Sequence, residues 1–281
     1  MEAIDFQLKR RQLIEDGFCV VENVMSPEMV ARMRSITDDL VNAVSTEHKQ
    51  QQRATGSMVP VMSDARMVDL VTHPEALRAL EAMGFRENRF QSGYVISKPP
   101  HSPPLFWHFD WGGWSHPISF EKIPVQVFLM YYLTDTRREN GCLRAISGSH
   151  LKEHPLHDTL GRAHTDDLTR AQNLDRVEFQ QQPQETDVPV KAGDLVIGDS
   201  RLLHASHANE SDERRTVVTL WFHPEYPTLP DSIKGYIVKR VDPVPDDWPA
   251  SARRRLESIQ VTYDGTTEAL PFSRQYIPKT N

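Results

Sequence analysis

Two segments of the chain carry side chains of the types and spacing that hold a metal. One is Trp107-His108-Phe109-Asp110. The other, far downstream, runs His204-Ala205-Ser206-His207-Ala208-Asn209-Glu210-Ser211-Asp212-Glu213-Arg214-Arg215. An H-x-D pair on one segment and a distant third histidine can close one face of an octahedral ferrous ion. Two histidines and one carboxylate leave the other positions open, as at non-haem Fe(II) centres that activate O2. A basic residue past the third ligand then offers an anchor for the carboxylate of a 2-oxo acid. The residues read as an oxygenase.

An isolated H-x-D is weak evidence, because such pairs arise by accident, and the chain holds two, His108/Asp110 and His164/Asp166. Context separates them. His108 and Asp110 stand i, i+2 in an aromatic segment, so on a strand both side chains point to one face. His164 and Asp166 sit in the polar run Gly161-Arg162-Ala163-His164-Thr165-Asp166-Asp167, which reads as solvated surface. The third ligand is contested between His204 and His207. His204 follows the apolar pair Leu202-Leu203 and stands eleven positions before Arg215, whereas His207 is nearer the polar Asn209-Glu210 turn. His204 is favoured, which leaves His207 beside the centre or in the turn. The plain alternative is that these histidines are only core or surface residues. A hydrolase reading fails: Gly198-Asp199-Ser200 superficially resembles an esterase turn, but the chain contains no D-x-x-H to supply its base. Asp199-Ser200 fits a strand-end turn whose side chains bond local backbone.

The elements that must position these residues change character along the chain. Residues 5–15 read as a helix and Gly17 to Glu22 as a short strand after a glycine break. Ser26-Pro27 supplies an N-cap with proline at the first helical position, and apolar spacing from Met29 to Val44 predicts a helix to about residue 46. Residues 47–62 read as a polar mobile loop, and Pro74 to Met83 as a short helix carrying Leu77, Leu80 and Met83. From Phe90 onward, strand-length apolar runs recur between turn signals: 93–96, 124–133, 142–146, 187–190, 195–197 and 216–222. Such a series predicts a β-sandwich or jelly roll. Residues 150–184 are polar and long for a structureless loop, a length usually kept for function or disorder. The expected organisation is one domain over 1–281, with 1–89 as helical support, 90–223 as the β core and 224–281 as a wrap or lid.

Composition narrows the partners. The 281 residues are 25% charged and 38% hydrophobic, ordinary for a soluble globular chain. The formal net charge of −7 argues against nucleic acid, which is bound through clustered Lys and Arg. The one dense basic run, Arg253-Arg254-Arg255, reads as the solvated face of a short helix. Cys19 and Cys142 make no disulfide framework and read as buried small hydrophobes. The N-terminus lacks the apolar stretch of a signal peptide and no segment is long enough to span a membrane, so a cytoplasmic address is expected. Asn209-Glu210-Ser211 matches a glycosylation acceptor that has no meaning without secretion. The expected partner is a small molecule. Oligomeric state is open, a homodimer among the options.

Several motifs together resemble a known family. Glu15-Asp16-Gly17-Phe18-Cys19-Val20-Val21 and Ser26-Pro27 come first, then Ser97-Lys98-Pro99-Pro100 ahead of His108-Phe109-Asp110. Glu139-Asn140-Gly141 through Gly148-Ser149-His150 follows, and Gly193-Asp194 through Arg215 completes the set. The chain resembles the phytanoyl-CoA dioxygenase-like Fe(II)/2-oxoglutarate-dependent oxygenases over most of residues 10–223. The resemblance implies a mainly β fold with flanking helices, a double-stranded β-helix of the cupin-like jelly-roll kind. It implies His108, Asp110 and His204 as iron ligands, and Arg215 as the partner of the distal carboxylate of 2-oxoglutarate, a planar fork matched to a carboxylate. Arg214 would point to the opposite face. Lys98 matches a position that can contact the co-substrate, and Ser206, Gln126 and Tyr131 are candidate pocket residues. His150 is assigned to a structural turn. The implied reaction consumes O2 and 2-oxoglutarate, releases succinate and CO2, and oxidises an unactivated C–H bond, most simply by hydroxylation. Asp110 fills the place where halogenating relatives bind halide. Two features depart from common members: Trp107, Trp111 and Trp114 crowd the H-x-D segment, as pocket wall or as core packing, and the tail after residue 224 carries no shared motif. The rival readings are a non-oxidative cupin-like metalloenzyme and a catalytically silent ligand-binding β-helix protein.

Overall fold

The structure, a computed structural model, describes residues 4–160 and 164–276. Helix α1 (Phe6–Glu15) starts at Asp5, whose carboxylate accepts from the Gln7 and Leu8 amides. Helix α2 (Pro27–Asn42) starts at Ser26, whose hydroxyl accepts from the Met29 amide, with Pro27 in the first turn. It stops at Asn42 rather than near residue 46. Ser45 adopts extended backbone and caps a new helix, α3 (Thr46–Gln51), through the His48 amide. The remaining α-helices among the described residues are α4 (Val68–Val71), α5 (Pro74–Ala82), α6 (Leu156–Thr159), α7 (Asp166–Thr169), α8 (Asp231–Val238) and α9 (Ala250–Glu257). No helix among the described residues is long and apolar enough to cross a membrane.

The strands are β1 (Phe18–Val21), β2 (Val59–Pro60), β3 (Arg89–Lys98), β4 (Leu105–His108), β5 (Val127–Tyr132), β6 (Leu143–Ile146), β7 (Glu185–Val188), β8 (Leu195–Asp199), β9 (His204–Ser206) and β10 (Arg215–His223). They form a six-stranded antiparallel sheet, β1-β8-β5-β10-β3-β2, and a four-stranded one, β4-β9-β6-β7. Phe128, Met130 and Val217 from the large sheet pack with Leu143 and Ala145 from the small one. This is the expected jelly roll.

Strand β5 explains why 124–133 is almost continuously apolar: it is buried on both faces. Val127, Leu129 and Tyr131 join the core under the N-terminal helices, while Phe128, Met130 and Tyr132 face the small sheet. Side chains alternate along a strand. Tyr131, expected in the pocket, therefore lies on the wrong face for it; Tyr132 takes that place.

Two segments expected to be loops form short helices and strands, with 161–163 of the second lying outside the described residues. Within 47–62, α3 and β2 form, and the Ser57 hydroxyl donates to the Val95 carbonyl and accepts from the Ser97 amide. A polar stretch can be buried when a sheet edge satisfies it. Within 150–184, Leu156, Leu160, Leu168 and Phe179 are buried around short helices. The three tryptophans are core packing: Trp107, Trp111 and Trp114 lie with Phe109 against Ile233, Tyr236 and Ile237 of the C-terminal segment. Trp248 and Leu256 of that segment join the helical core instead. Cys19 and Cys142 are both buried and free. The basic run falls on α9, where Arg255 reaches Asp69 and Thr72.

The turn from β8 to β9 contains a fully buried ion pair. Arg201 donates through Nε to Asp199 Oδ1 at 2.9 Å and through Nη2 to Oδ2 at 2.5 Å. Its Nη1 donates to the Ser119 and Glu121 carbonyls at 2.9 and 2.6 Å. Removing one member of such a pair strands the other charge away from water. Asp199→Asn is therefore expected to lower unfolding free energy by about 3–5 kcal/mol, measured by urea titration. A change under about 1 kcal/mol would mean that the pair is not the brace of this turn.

Candidate metal centre

His108 ends β4 and His204 begins β9, and the two residues are direct cross-strand partners. Their rings therefore share one face, with centroids 4.2 Å apart. Each Nδ1 bonds the carbonyl two residues back, His108 to Phe106 and His204 to Leu202, both at 3.0 Å. A carbonyl can only accept, so Nδ1 carries the proton and Nε2 presents its lone pair. Past His108 the chain turns so that the Asp110 and Trp111 amides both donate to the Ser200 carbonyl at 2.8 Å. This brings Asp110 Oδ1 within 3.7 Å of His108 Nε2 and Oδ2 within 3.9 Å of His204 Nε2. One ligand atom from each residue lies within 4.8 Å of the other two. Burial, then the neighbouring His204, pushes the His108 pKa down to about 3, so its imidazole is neutral, the form that binds a metal. The donor set fits a ferrous ion.

Around this face runs a narrow cavity between the two sheets, lined among others by Thr55, Tyr132, Ser206, Arg215, Val217 and Thr219. Arg215 is buried and donates through Nη2 to Ser206 Oγ at 3.4 Å, while its Nε has no partner. The Thr55 and Thr219 hydroxyls are likewise buried without partners. Buried polar groups are rarely left unpaired, so three around one cavity mark the seat of a polar ligand. Arg214 points the other way, to Asp38 and Asn42.

The remaining expected residues divide. Lys98 is the cross-strand partner of Arg215, but its ammonium donates to the Ala54 and Pro103 carbonyls at 2.7 and 2.5 Å rather than lining the cavity. Gln126 lines an outer cleft and donates to Gln91, which contacts His223 at 2.8 Å. His207 lies outside the His108 group: its Nε2 contacts Asp187 at 2.6 Å. Cys142, Asp187 and His207 do approach one another. There, burial pushes the Cys142 thiol up to about 11, so it stays protonated near neutral pH. His150 bonds the Ile14 carbonyl and closes the turn on α1.

His164 is not solvated surface as its polar context implies. Its ring stands 5.1 Å from Phe106 and 5.2 Å from His108, with Nε2 buried and unpartnered. A positive φ of 69° sets His164 apart from the exposed Asp166 that opens α7. A left-handed backbone position of this kind leaves no mark on hydropathy. Sequence reasoning also missed Trp221, whose indole Nε1 donates to Asp110 Oδ2 at 2.8 Å. Parity along β10 could have found it, since Arg215, Val217, Thr219 and Trp221 alternate onto one face. Arg274, which reaches the outer cleft from the tail, left no signal.

Two histidines on adjacent strands of a jelly roll, a carboxylate from the turn past the first of them and a buried arginine in the same cavity make a metal-centre architecture of the cupin-like class. The chain belongs to the phytanoyl-CoA dioxygenase (PhyH) family, which matches residues 13–217. It is 25% identical over 228 residues to the ectoine dioxygenase of Nocardia farcinica (strain IFM 10152), covering 76% of each chain. Its fold is that of the nogalamycin-biosynthesis epimerase SnoN, solved with Fe3+, alpha ketoglutarate and nogalamycin RO, at TM-score 0.59 and 20% identity over 78% of this chain and 83% of that one. The carbocyclase SnoK of the same biosynthesis gives TM-score 0.58 and 22% identity over 77% and 83% of the two chains.

The indole–carboxylate bond generates a prediction. Trp221→Phe keeps the ring but frees Asp110 Oδ2, and Fe(II) affinity under anaerobic calorimetry should fall on the order of 10- to 100-fold. His207→Ala should leave that affinity unchanged.

Proposed function

We propose that the protein is an Fe(II)- and 2-oxoglutarate-dependent dioxygenase that hydroxylates an unactivated C–H bond of a small organic molecule. The observation that carries the reading is the common cavity. His108, Asp110 and His204 offer three ligand atoms on one side, and Arg215 offers an unpaired guanidinium nitrogen on the other. In this reading those three residues hold iron and Arg215 pairs with the distal carboxylate of 2-oxoglutarate, with Ser206 steadying the guanidinium. Iron with 2-oxoglutarate supplies O2 reduction coupled to decarboxylation, yielding succinate and CO2. The protein's own work is placement and shielding. Trp221 fixes the Asp110 carboxylate, and Ile96, Met130, Leu143 and Val217 keep water from the cavity. Lys98 acts by holding the loop carbonyls of Ala54 and Pro103 beside Arg215, and Gln126 acts in the outer cleft. The chain works as one domain with the described residues from 224 to 276 as its wrap, the last five positions of the expected 224–281 segment lying outside the described residues.

Epimerase and carbocyclase relatives share the fold, so the outcome of C–H attack depends on what the substrate presents near the iron. Hydroxylation is proposed because it requires no second reacting group of the protein.

The test is anaerobic titration of metal-free protein with Fe(II) and 2-oxoglutarate, watching the visible metal-to-ligand charge-transfer band. The band should form in the parent protein and vanish in His108→Ala and His204→Ala. In Arg215→Ala it should require on the order of 10- to 100-fold more 2-oxoglutarate. Iron bound without any band would overturn the 2-oxoglutarate reading in favour of a non-oxidative metalloenzyme. Absence of metal binding would favour a ligand-binding protein.

A further inference from the structure

Past Asp110 and Trp221, which line both spaces, the inner cavity adjoins an outer cleft of about 370 Å³. Two arginines of the C-terminal segment line this cleft, Arg240 and Arg274, beyond the family match that ends at residue 217. Arg240 is held in place. It donates to the Tyr236 carbonyl at 2.8 Å, and its guanidinium lies 4.1 Å from the Tyr236 ring and 4.7 Å from the Phe272 ring. Arg274 is not. Its Nε is buried without a hydrogen-bond partner among the described residues, and its guanidinium lies 5.3 Å from the Phe272 ring.

Among the described residues, neither arginine has a carboxylate within ion-pair distance, although the chain holds 39 acidic residues against 32 basic ones. Asp110, the carboxylate lining this cleft, is engaged by Trp221 and the two histidines. A guanidinium stays charged at any ordinary pH, and Arg274, half-buried with its Nε shut off from water and unpaired, is stabilised by an anion. The unpartnered Nε2 of His164 lines the same space. Both groups await a polar ligand.

We propose that Arg274 binds a carboxylate of the substrate, so that the molecule oxidised is a small organic acid whose apolar part lies against Trp221, Tyr236 and Phe272. A carboxylate is the favoured oxyanion because its two oxygens match the planar fork of a guanidinium. His164 then offers its ring nitrogen to a second polar atom of the ligand. Arg274 and Asp110 line the same cleft, which places the acid group on the side of the substrate that faces the metal-binding carboxylate. The inference rests on the reading of the inner cavity as the place of iron and 2-oxoglutarate.

The test uses the full chain loaded anaerobically with Fe(II) and 2-oxoglutarate, so that Arg215 is already occupied. Phenylacetate and its neutral isostere phenylacetamide are the probes, followed by tryptophan fluorescence and calorimetry. Phenylacetate should bind on the order of 10-fold tighter than the amide. Arg274→Gln should erase that preference while leaving the charge-transfer band and the melting temperature unchanged. Arg274→Lys should restore part of it. Equal binding of acid and amide, no binding of phenylacetate at millimolar concentration, or a preference that survives in Arg274→Gln would each overturn the proposal. The two readings fail separately. An acid preference that follows Arg274 without a charge-transfer band removes the 2-oxoglutarate reading and keeps the acid site; a band without the preference does the reverse.

Discussion

The buried Asp199–Arg201 pair is the constraint on which the metal-binding face depends. It fixes the turn between β8 and β9, and that turn touches every part of the centre. The carbonyl of Ser200 receives the Asp110 and Trp111 amides, which sets where the carboxylate stands. Leu202 supplies the carbonyl that orients the His204 ring, and the Leu203 amide donates to Ser149 Oγ at 2.9 Å, tying the turn to the segment after β6. The Asp199 amide donates to the Gly17 carbonyl at 2.8 Å, so the N-terminal helix is fastened to the same turn. Gly17 has φ +90°, and a Cβ there would lie 2.7 Å from both His150 and Leu202. Glycine is required by this approach. Two charges in a dry interior add little net stability compared with apolar packing, but they tolerate few alternative arrangements. The pair exchanges that stability for a fixed turn.

Around that turn the sheets divide their labour by side-chain alternation. The large sheet sends one face to the N-terminal helices and the other to the cavity. The cavity face combines apolar residues, which exclude water, with the few polar groups left unpaired for a ligand. The small sheet brings His108 and His204 together as cross-strand neighbours. The C-terminal segment adds what the jelly roll lacks, an outer cleft with positive side chains beside the metal-binding face. The carboxylate of Asp110 thus stands between the inner cavity, built within the family match, and an outer cleft to which residues beyond that match contribute.

Much of this was legible in the residues. His108 and Asp110 could be placed on one face by their spacing, and the choice of His204 over His207 followed from its apolar approach and its distance to Arg215. The helix start at Ser26 could be read because capping is local chemistry. Other features were not legible. Tyr131 and Tyr132 are adjacent and chemically alike, and only the register of β5 decides which enters the cavity. His164 reads as surface in a polar run, yet its ring packs on Phe106 and His108. The 47–62 segment reads as a loop because nothing in its composition reveals that the edge of β3 will satisfy its polar groups.

The sequence by itself determined the kind of chemistry, because ligand type and the spacing within one strand or one turn are local properties of the chain. It also determined the alternation that makes β5 a two-faced core strand. Only the tertiary structure decided which parity faces inward, that Trp221 braces Asp110, and that Arg240 and Arg274 return from the C-terminal segment to the outer cleft. Those facts depend on contacts between residues distant in sequence. Such contacts are fixed by packing and by the pairing of buried polar groups across the whole fold, and no window of neighbouring residues contains them.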